Sequence, residues 1–367
     1  MMQRTRAAHV CGAAALILAV RAGTARSQVT PAAAYTPPDE TPSIKAGVTI
    51  FMDYTFQQRP ETTDADGNEI HASAFNVGRA YVNVTGNISH LIAFRITPDI
   101  TRESGAGSSL NGSYSFRLKY AFAQFNLDDW MTKGSWLRFG LQQTPWIDYE
   151  EGIYRYRFQG PIFPDREGFL TSSDAGVSFH YNLARNYGDL HVGFYNGEGY
   201  SKPEANDTKA VQIRGAFRPF TRHPILKGWR VAAFYDGDAY VQNADKRRAI
   251  LNTTFEHKYV NAGFDYLDAK DQISGANIEV DARGFSVWAT PKSPIGWEGL
   301  LRYDYLEPNT DASGTRKRTI AGVAYWFPHQ GSVSTALLFD VDHTTFSDVT
   351  PSQPTQRRIA VHGLVNF

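Results

Sequence analysis

Nine cationic side chains share one property of placement. Arg79, Arg95, Arg117, Lys119, Arg138, Arg214, Arg218, Arg230 and Arg302 each stand on the parity opposite the apolar residues of their own segment. Several lie in the N-terminal half, on neighbouring segments, where their charged heads can stack along one wall. Guanidinium stays charged and offers a planar fork of donors that fits phosphate or carboxylate oxygens. A row of such groups can hand an anion from one to the next if no single site grips it. The alternative is a salt-bridged wall, with the same residues neutralised by Asp53, Asp236, Asp265, Glu298, Asp304, Asp340 and Asp342. One stretch adds to the set. "TPWIDYEEGIYRYRFQGPIFPDREGFLTS", residues 144–172, carries Arg155, Arg157 and Arg166 beside Asp148, Glu150, Glu151, Asp165 and Glu167. It is dense in aromatic rings, which do not belong in water. The expectation is a loop that folds inward and narrows a channel, with Tyr149, Tyr154 and Tyr156 flanking the constriction. The alternative is an external loop packed on a neighbouring subunit.

These side chains need elements to hold them, and alternation supplies those elements. In "SWLRFGLQQ", Leu137, Phe139 and Leu141 oppose Arg138, Gly140 and Gln142; in "AVQIRGAFRPF", Val211, Ile213 and Phe217 oppose Gln212, Arg214 and Arg218. A period of two is that of a strand with one apolar face. Sixteen such segments are expected, at about 45–57, 73–85, 89–98, 114–127, 135–143, 173–182, 187–196, 209–219, 227–236, 246–256, 258–267, 282–290, 296–306, 317–327, 333–343 and 356–367. Short connections such as "TGNISH" and "LARNYG" alternate with long polar ones such as "QRPETTDADGNEIHAS" and "GEGYSKPEANDT". Strands near ten residues, short turns at one end and long loops at the other mark a transmembrane antiparallel β-barrel of the outer-membrane kind. A soluble sandwich or propeller also alternates. Against it, the polar parity is charged, and Trp130, Trp136, Trp146, Trp229, Trp297, Trp326 and Phe327 fall at strand ends where aromatic girdles lie. "YAFAQFNL", residues 120–127, breaks strict alternation and predicts a bulge; the register of 318–327 is ambiguous.

The remaining signals fit export to an outer membrane. Arg4 and Arg6 precede the apolar run "VCGAAALILAV", and small residues follow, so residues 1–27 read as a signal peptide. Eleven apolar residues are too few for a membrane anchor, which needs about 20. The sole cysteine, Cys11, goes with that segment, and removal leaves 33 basic against 37 acidic residues. Residues 28–44 read as a Pro- and Ala-rich lead-in, and 45–367 as the barrel. The 367 residues carry no net charge, so nothing global points to nucleic acid. The last strand, "RRIAVHGLVNF", ends on Phe367. It is expected to close against the first strand at the periplasmic rim, its ring toward lipid. Bacterial outer-membrane proteins commonly end this way, and resemblance to them implies that the barrel assembly machinery reads Phe367.

Three stretches carry a closer resemblance. "FNVGRAYVNVTGNISHLIAFRITPDI" (75–100), "WLRFGLQQTPW" (136–146) and "SSDAGVSFHYNLARNYGDLHVGFYNGEGY" (172–200) resemble strands of the phosphate-selective porin O/P family. The resemblance implies a sixteen-stranded homotrimeric porin whose channel cations bind phosphate or related small anions. Arg79 and Arg138 match strand positions of that family, whereas Arg155 and Arg157 match only the basic character of its constriction loop. The dense Arg ladder and Lys cluster of its best-known members are missing here, which leaves a general or organic-solute porin open.

Other classes have weaker support. The sequence contains neither G-x-S-x-G nor H-E-x-x-H, and His90, His180, His191, His257 and His362 are scattered singly. No cofactor or metal is expected, and neither an enzyme nor an adhesin. "DADGNE", Asp64 to Glu69, places its Gly too early for a calcium loop and reads as turn material.

Overall fold

The computed structural model describes residues 39–105, 107–272, 274, 278–329 and 333–367. The expected signal peptide and most of the lead-in lie outside the described residues. The barrel strands are β1 (Ser43–Arg59), β2 (Ser73–Asn87), β3 (Ile92–Arg102), β4 (Tyr114–Asn126), β5 (Trp136–Gln143), β6 (Ser173–Leu183), β7 (Gly188–Tyr195), β8 (Ala210–Phe217), β9 (Trp229–Val241), β10 (Ala244–His257), β11 (Val260–Asp271), β12 (Val280–Pro291), β13 (Trp297–Glu307), β14 (Thr315–Phe327), β15 (Ser334–Ser347) and β16 (Gln356–Asn366). Each pairs antiparallel with its neighbours in sequence, and β16 returns to β1, giving a closed barrel. Closure leaves no open sheet edge, which a chain in lipid requires.

The seam joins the two chain ends. Val48 and Phe367 exchange backbone hydrogen bonds of 3.0 and 2.9 Å. Phe367 is 71% exposed on the outer surface, as the sequence predicts. Gly47 lies against this terminus: a Cβ there would sit 2.4 Å from the Phe367 carbonyl oxygen, so only glycine fits.

The outer face is apolar along the predicted parity. Phe139, Leu251, Leu301, Phe339 and Val361 are exposed there, and Arg138, Asn252, Arg302, Asp340 and His362 face inward. The girdle expectation needs correction. Trp130, Trp229, Trp297 and Phe327 are exposed, but Trp136 and Trp326 turn into the lumen and Trp146 is fully buried. Position at a strand end does not fix a ring's face; parity does.

One irregularity places functional side chains. Between β3 and β4 the register jumps from Thr97↔Tyr120 to Pro98↔Leu118, leaving Lys119 as the extra residue. Pro98 has no N–H for the ladder and suits such a site. Lys119 and Tyr120 are consequently both buried on the inner side, while Leu118 stays outside. The expected bulge lies here, at the beginning of the irregular stretch. β14, by contrast, pairs regularly through Thr315–Phe327 on both sides.

The strands also outrun the sequence estimates at the loop end. β9 and β10 meet across Gln242 and Asn243 alone, and Asn243 takes a left-handed φ of 63°, which asparagine tolerates. Asp64 accepts bonds from the backbone N–H groups of Asp66 and Asn68, each at 2.9 Å, confirming a turn.

Candidate channel and its constriction

Residues 144–172 fold into the barrel. The segment contains α1 (Ile147–Tyr154) and α2 (Phe163–Arg166). α1 ends where Arg155 adopts a left-handed φ of 68° and donates its backbone N–H to the Glu151 carbonyl. Pro164 lies in the first turn of α2, where a missing N–H costs nothing. Trp146, Ile147, Ile153, Tyr154, Tyr156, Ile162 and Phe163 are buried. They pack on inward-facing Phe234, Ile250, Leu267, Trp288, Leu300, Leu306, Ile320 and Leu338. The lumen of β9–β15 is therefore no watery wall but half of an apolar core. Each large side chain buried there contributes roughly 1.5–3 kcal/mol to holding the segment in place.

Polar contacts complete the attachment. Arg214 Nε donates to the Pro145 carbonyl at 2.7 Å, Arg302 Nη1 to Pro161 at 2.9 Å, and Arg248 Nε to Phe169 at 3.0 Å. Asn261 donates to the Ile153 carbonyl at 3.1 Å, and Arg316 pairs with Glu167. Glu150 meets Asp265 of β11 and accepts from Trp146 Nε1 at 2.9 Å. Burial, then the Asp265 carboxylate, push the Glu150 carboxyl well above its usual range.

These contacts redistribute the predicted cations. Arg214 is buried against the segment, pairs with Asp189 and lies over the Tyr149 ring. Arg166 is buried, donates to Gln159 Oε1 at 2.8 Å and lies 3.8 Å from Asp342; burial, then Arg302 and Arg318, lower it to about 9. Arg155 lies 3.4 Å from Glu298 and over Trp326. Arg157 Nε lies 2.7 Å from Glu151, with Asp165 at 3.7 Å. The three loop arginines are thus ion-paired, and Arg166 and Arg214 serve as fasteners. Tyr149, Tyr154 and Tyr156 do not flank an opening either: Tyr154 and Tyr156 are buried between loop and wall, and Tyr149 lies beneath Arg214. Apolar surface inside the barrel claimed those rings.

The other five cations stand on the opposite wall. Arg79 and Arg117 close on one oxygen of Asp99, at 2.8 and 3.0 Å. Arg95 donates to Thr97 and Asn83, at 2.9 and 2.8 Å, and lies 4.4 Å over the Tyr120 ring. Lys119 donates to the Tyr81 hydroxyl at 3.2 Å, its ammonium also near the rings of Tyr120 and Tyr200. Arg138 donates to Gln124 and Gln143, at 2.8 and 3.1 Å, and lies over Trp136 and Phe122 at 3.8 and 4.6 Å. Among the described residues, Asp99 is the one carboxylate on the inner faces of β2–β5. Across from them the loop presents Asp148, Glu151, Arg157 and Asp165, and Glu151 feels the charges of both Arg157 and Lys119. Burial is the largest influence on Glu151 and, with Asp165 and Asp148, lifts it to about 7 against those two cations.

Several of these residues were open to sequence reading. Tyr81 shares the parity of Arg79, and Pro98 flags the bulge that aims Lys119 and Tyr120. Asp99 sits beside that proline. Tyr200 comes from a long loop, and nothing in its local sequence sends it inward to lie 4.7 Å from the Arg117 guanidinium. His180 and His191, read as single, are register partners with rings 5.7 Å apart, beside Asp189. No group of three or more metal-binding side chains occurs among the described residues.

No protein-family model matches the chain, and no curated protein matches it. Solved structures do. The chain is similar to an anion-selective porin from Comamonas acidovorans, at 11% identity and a TM-score of 0.59, over 89% of this chain and 100% of that one. It is similar to a loop L8 deletion mutant of OmpT, an outer membrane protein of Vibrio cholerae, at 14% identity and a TM-score of 0.62, over 89% and 99%. It is also similar to the outer membrane channel DcaP of Acinetobacter baumannii, at 12% identity and a TM-score of 0.58, over 89% and 97%. At such identities the likeness is one of fold: a porin-like barrel, whose apolar outer face belongs in the bacterial outer membrane.

Proposed function

We propose that the chain is a passive diffusion channel that favours small anions, phosphate or a related oxyanion among them. One observation carries this reading. The open side of the constriction, formed by β2–β5, holds Arg79, Arg95, Arg117, Lys119 and Arg138 against the single carboxylate of Asp99. A wall with that surplus raises the local concentration of anions. Several fixed cations in sequence bind weakly enough to release what they attract. The acids of the loop face, Asp148, Glu151 and Asp165, favour a second reading, a general or organic-solute channel of weak selectivity. Assembly as a homotrimer, with recognition of Phe367 by the barrel assembly machinery, belongs to the same proposal; the exposed ring at the closed seam supports the latter.

The test is planar-bilayer conductance of the refolded protein. In a KCl gradient the reversal potential is expected on the anion side, and added phosphate is expected to reduce chloride current. A cation-selective or unselective reversal, with no effect of phosphate, selects the second reading.

A further inference from the structure

Below the constriction, toward the end of the barrel that carries the chain terminus, a cavity of about 300 Å³ opens on the inner face of β1–β5. Arg95, Arg138, Lys45, Phe122, Gln124 and Gln143 line it. Its two guanidiniums differ from the ion-paired Arg79, Arg117, Arg214, Arg230 and Arg302. Neither has a carboxylate within ion-pair distance among the described residues. Each is held by neutral acceptors instead: Thr97 and Asn83 for Arg95, Gln124 and Gln143 for Arg138. The charge of Asp148 reaches Arg138 from the loop, but without contact. Each guanidinium also lies on an aromatic ring, Arg95 on Tyr120 and Arg138 on Trp136 and Phe122. Ring contact fixes the plane of the fork and leaves its edges to bond. Arg95 Nη1 and Arg138 Nη2 make no bond to protein among the described residues.

Two pre-oriented cations without a contacting carboxylate among the described residues, around one cavity, call for an anion. Planar forks suit a carboxylate, and the volume lies at the low end for small-molecule sites. The walls add aromatic surface, which a spherical inorganic oxyanion cannot use. We propose that this cavity binds small planar organic carboxylates, with the carboxylate on the free edges of Arg95 and Arg138 and the ring of the solute against Phe122. The inference rests on the anion-favouring reading above and names a solute class for it.

The experiment is block of chloride current through the full barrel by benzoate, by cyclohexanecarboxylate, which has the same charge without the flat ring, and by inorganic phosphate. Benzoate is expected to block at concentrations about tenfold lower than either comparator, the value of one good stacking contact. Arg138→Gln and Arg95→Gln are each expected to raise the benzoate concentration needed by about tenfold or more, the loss of a charge-assisted bond. Arg283→Gln, on the outer face of β12, is expected to leave it unchanged. Equal block by benzoate and cyclohexanecarboxylate overturns the proposal, and this comparison needs no variant to fold. So does unaltered benzoate block in a folded Arg138→Gln barrel. An anion-selective channel that does not discriminate the two acids sinks the site alone. An unselective channel sinks the function reading, and the tryptophan fluorescence response to benzoate, expected from Trp136 beside Arg138, then still reports whether the cavity binds.

Discussion

Arg157 Nε and Glu151 Oε1, on the channel face of the infolded segment, lie 2.7 Å apart. The pair can be switched. Glu151 is lifted from its ordinary 4.5 to about 7 by burial first, with Asp165 and Asp148 adding to it. The folded protein therefore holds a proton that the unfolded chain releases. Through this group stability falls as pH rises from about 4.5 to about 7, and no further above that. The expected functional outcome has the matching sign. On acidification from above 7 to below it, the constriction loses a negative charge and Arg157 keeps only Asp165 as a counter-ion, so anion preference increases. Reversal potentials taken at a series of pH values check this, and Glu151→Gln is expected to hold the acidic-side selectivity throughout.

Asp99 neutralises two of the five wall cations. Asp99→Asn keeps the size and an acceptor but removes the charge. The reversal potential is expected to move further to the anion side. Unfolding in denaturant is expected to show a loss of about 1.5–3 kcal/mol, the worth of hydrogen bonds to charged partners. Unchanged selectivity would mean that the path does not pass Arg79 and Arg117.

Trp146 is the largest fully buried side chain of the segment. It packs on Phe234, with ring centroids 5.6 Å apart. Trp146→Ala is expected to cost about 3–5 kcal/mol. The loosened segment gives a larger and noisier single-channel conductance. A stable barrel of unaltered conductance would show that the arginine bonds alone hold the constriction.

Gly47→Ala brings a methyl group against the Phe367 carbonyl. The seam between β1 and β16 is expected to weaken by about 1–3 kcal/mol, the usual cost of overpacking. The temperature at which the folded barrel loses its compact electrophoretic mobility reads that loss. Gly215→Ala in β8, where a Cβ meets nothing within 4 Å, is the matched control and is expected to leave it unchanged.

Strand positions and the inner and outer faces were legible because lipid allows strands only as a closed barrel and tolerates only one parity outside. The infolding of 144–172 was legible from its rings. What each inward arginine does was not. Arg138 and Arg214 have the same residue type and the same parity, yet one faces open lumen and the other fastens a loop. The difference lies in the partners: the Pro145 carbonyl of the infolded segment takes Arg214, whereas Arg138 bonds Gln124 of the neighbouring strand and Gln143 of its own. The apolar inward residues Leu300, Ile320 and Leu338 were the available sign that one half of the barrel is filled, and alternation alone reads them as breaks.

The filled half has a consequence for how such a pore can be changed. On the proposed reading, solutes would pass along an eccentric crescent bounded by β2–β5, while β8–β15 act as bedding for the constriction. Residues 73–143 would thus form a contiguous cassette that supplies the cationic wall, and the remaining strands would set how wide the passage stays. Exchanging that cassette for the corresponding strands of another sixteen-stranded barrel should transfer selectivity without moving the loop, two properties that a symmetric pore would have to alter together.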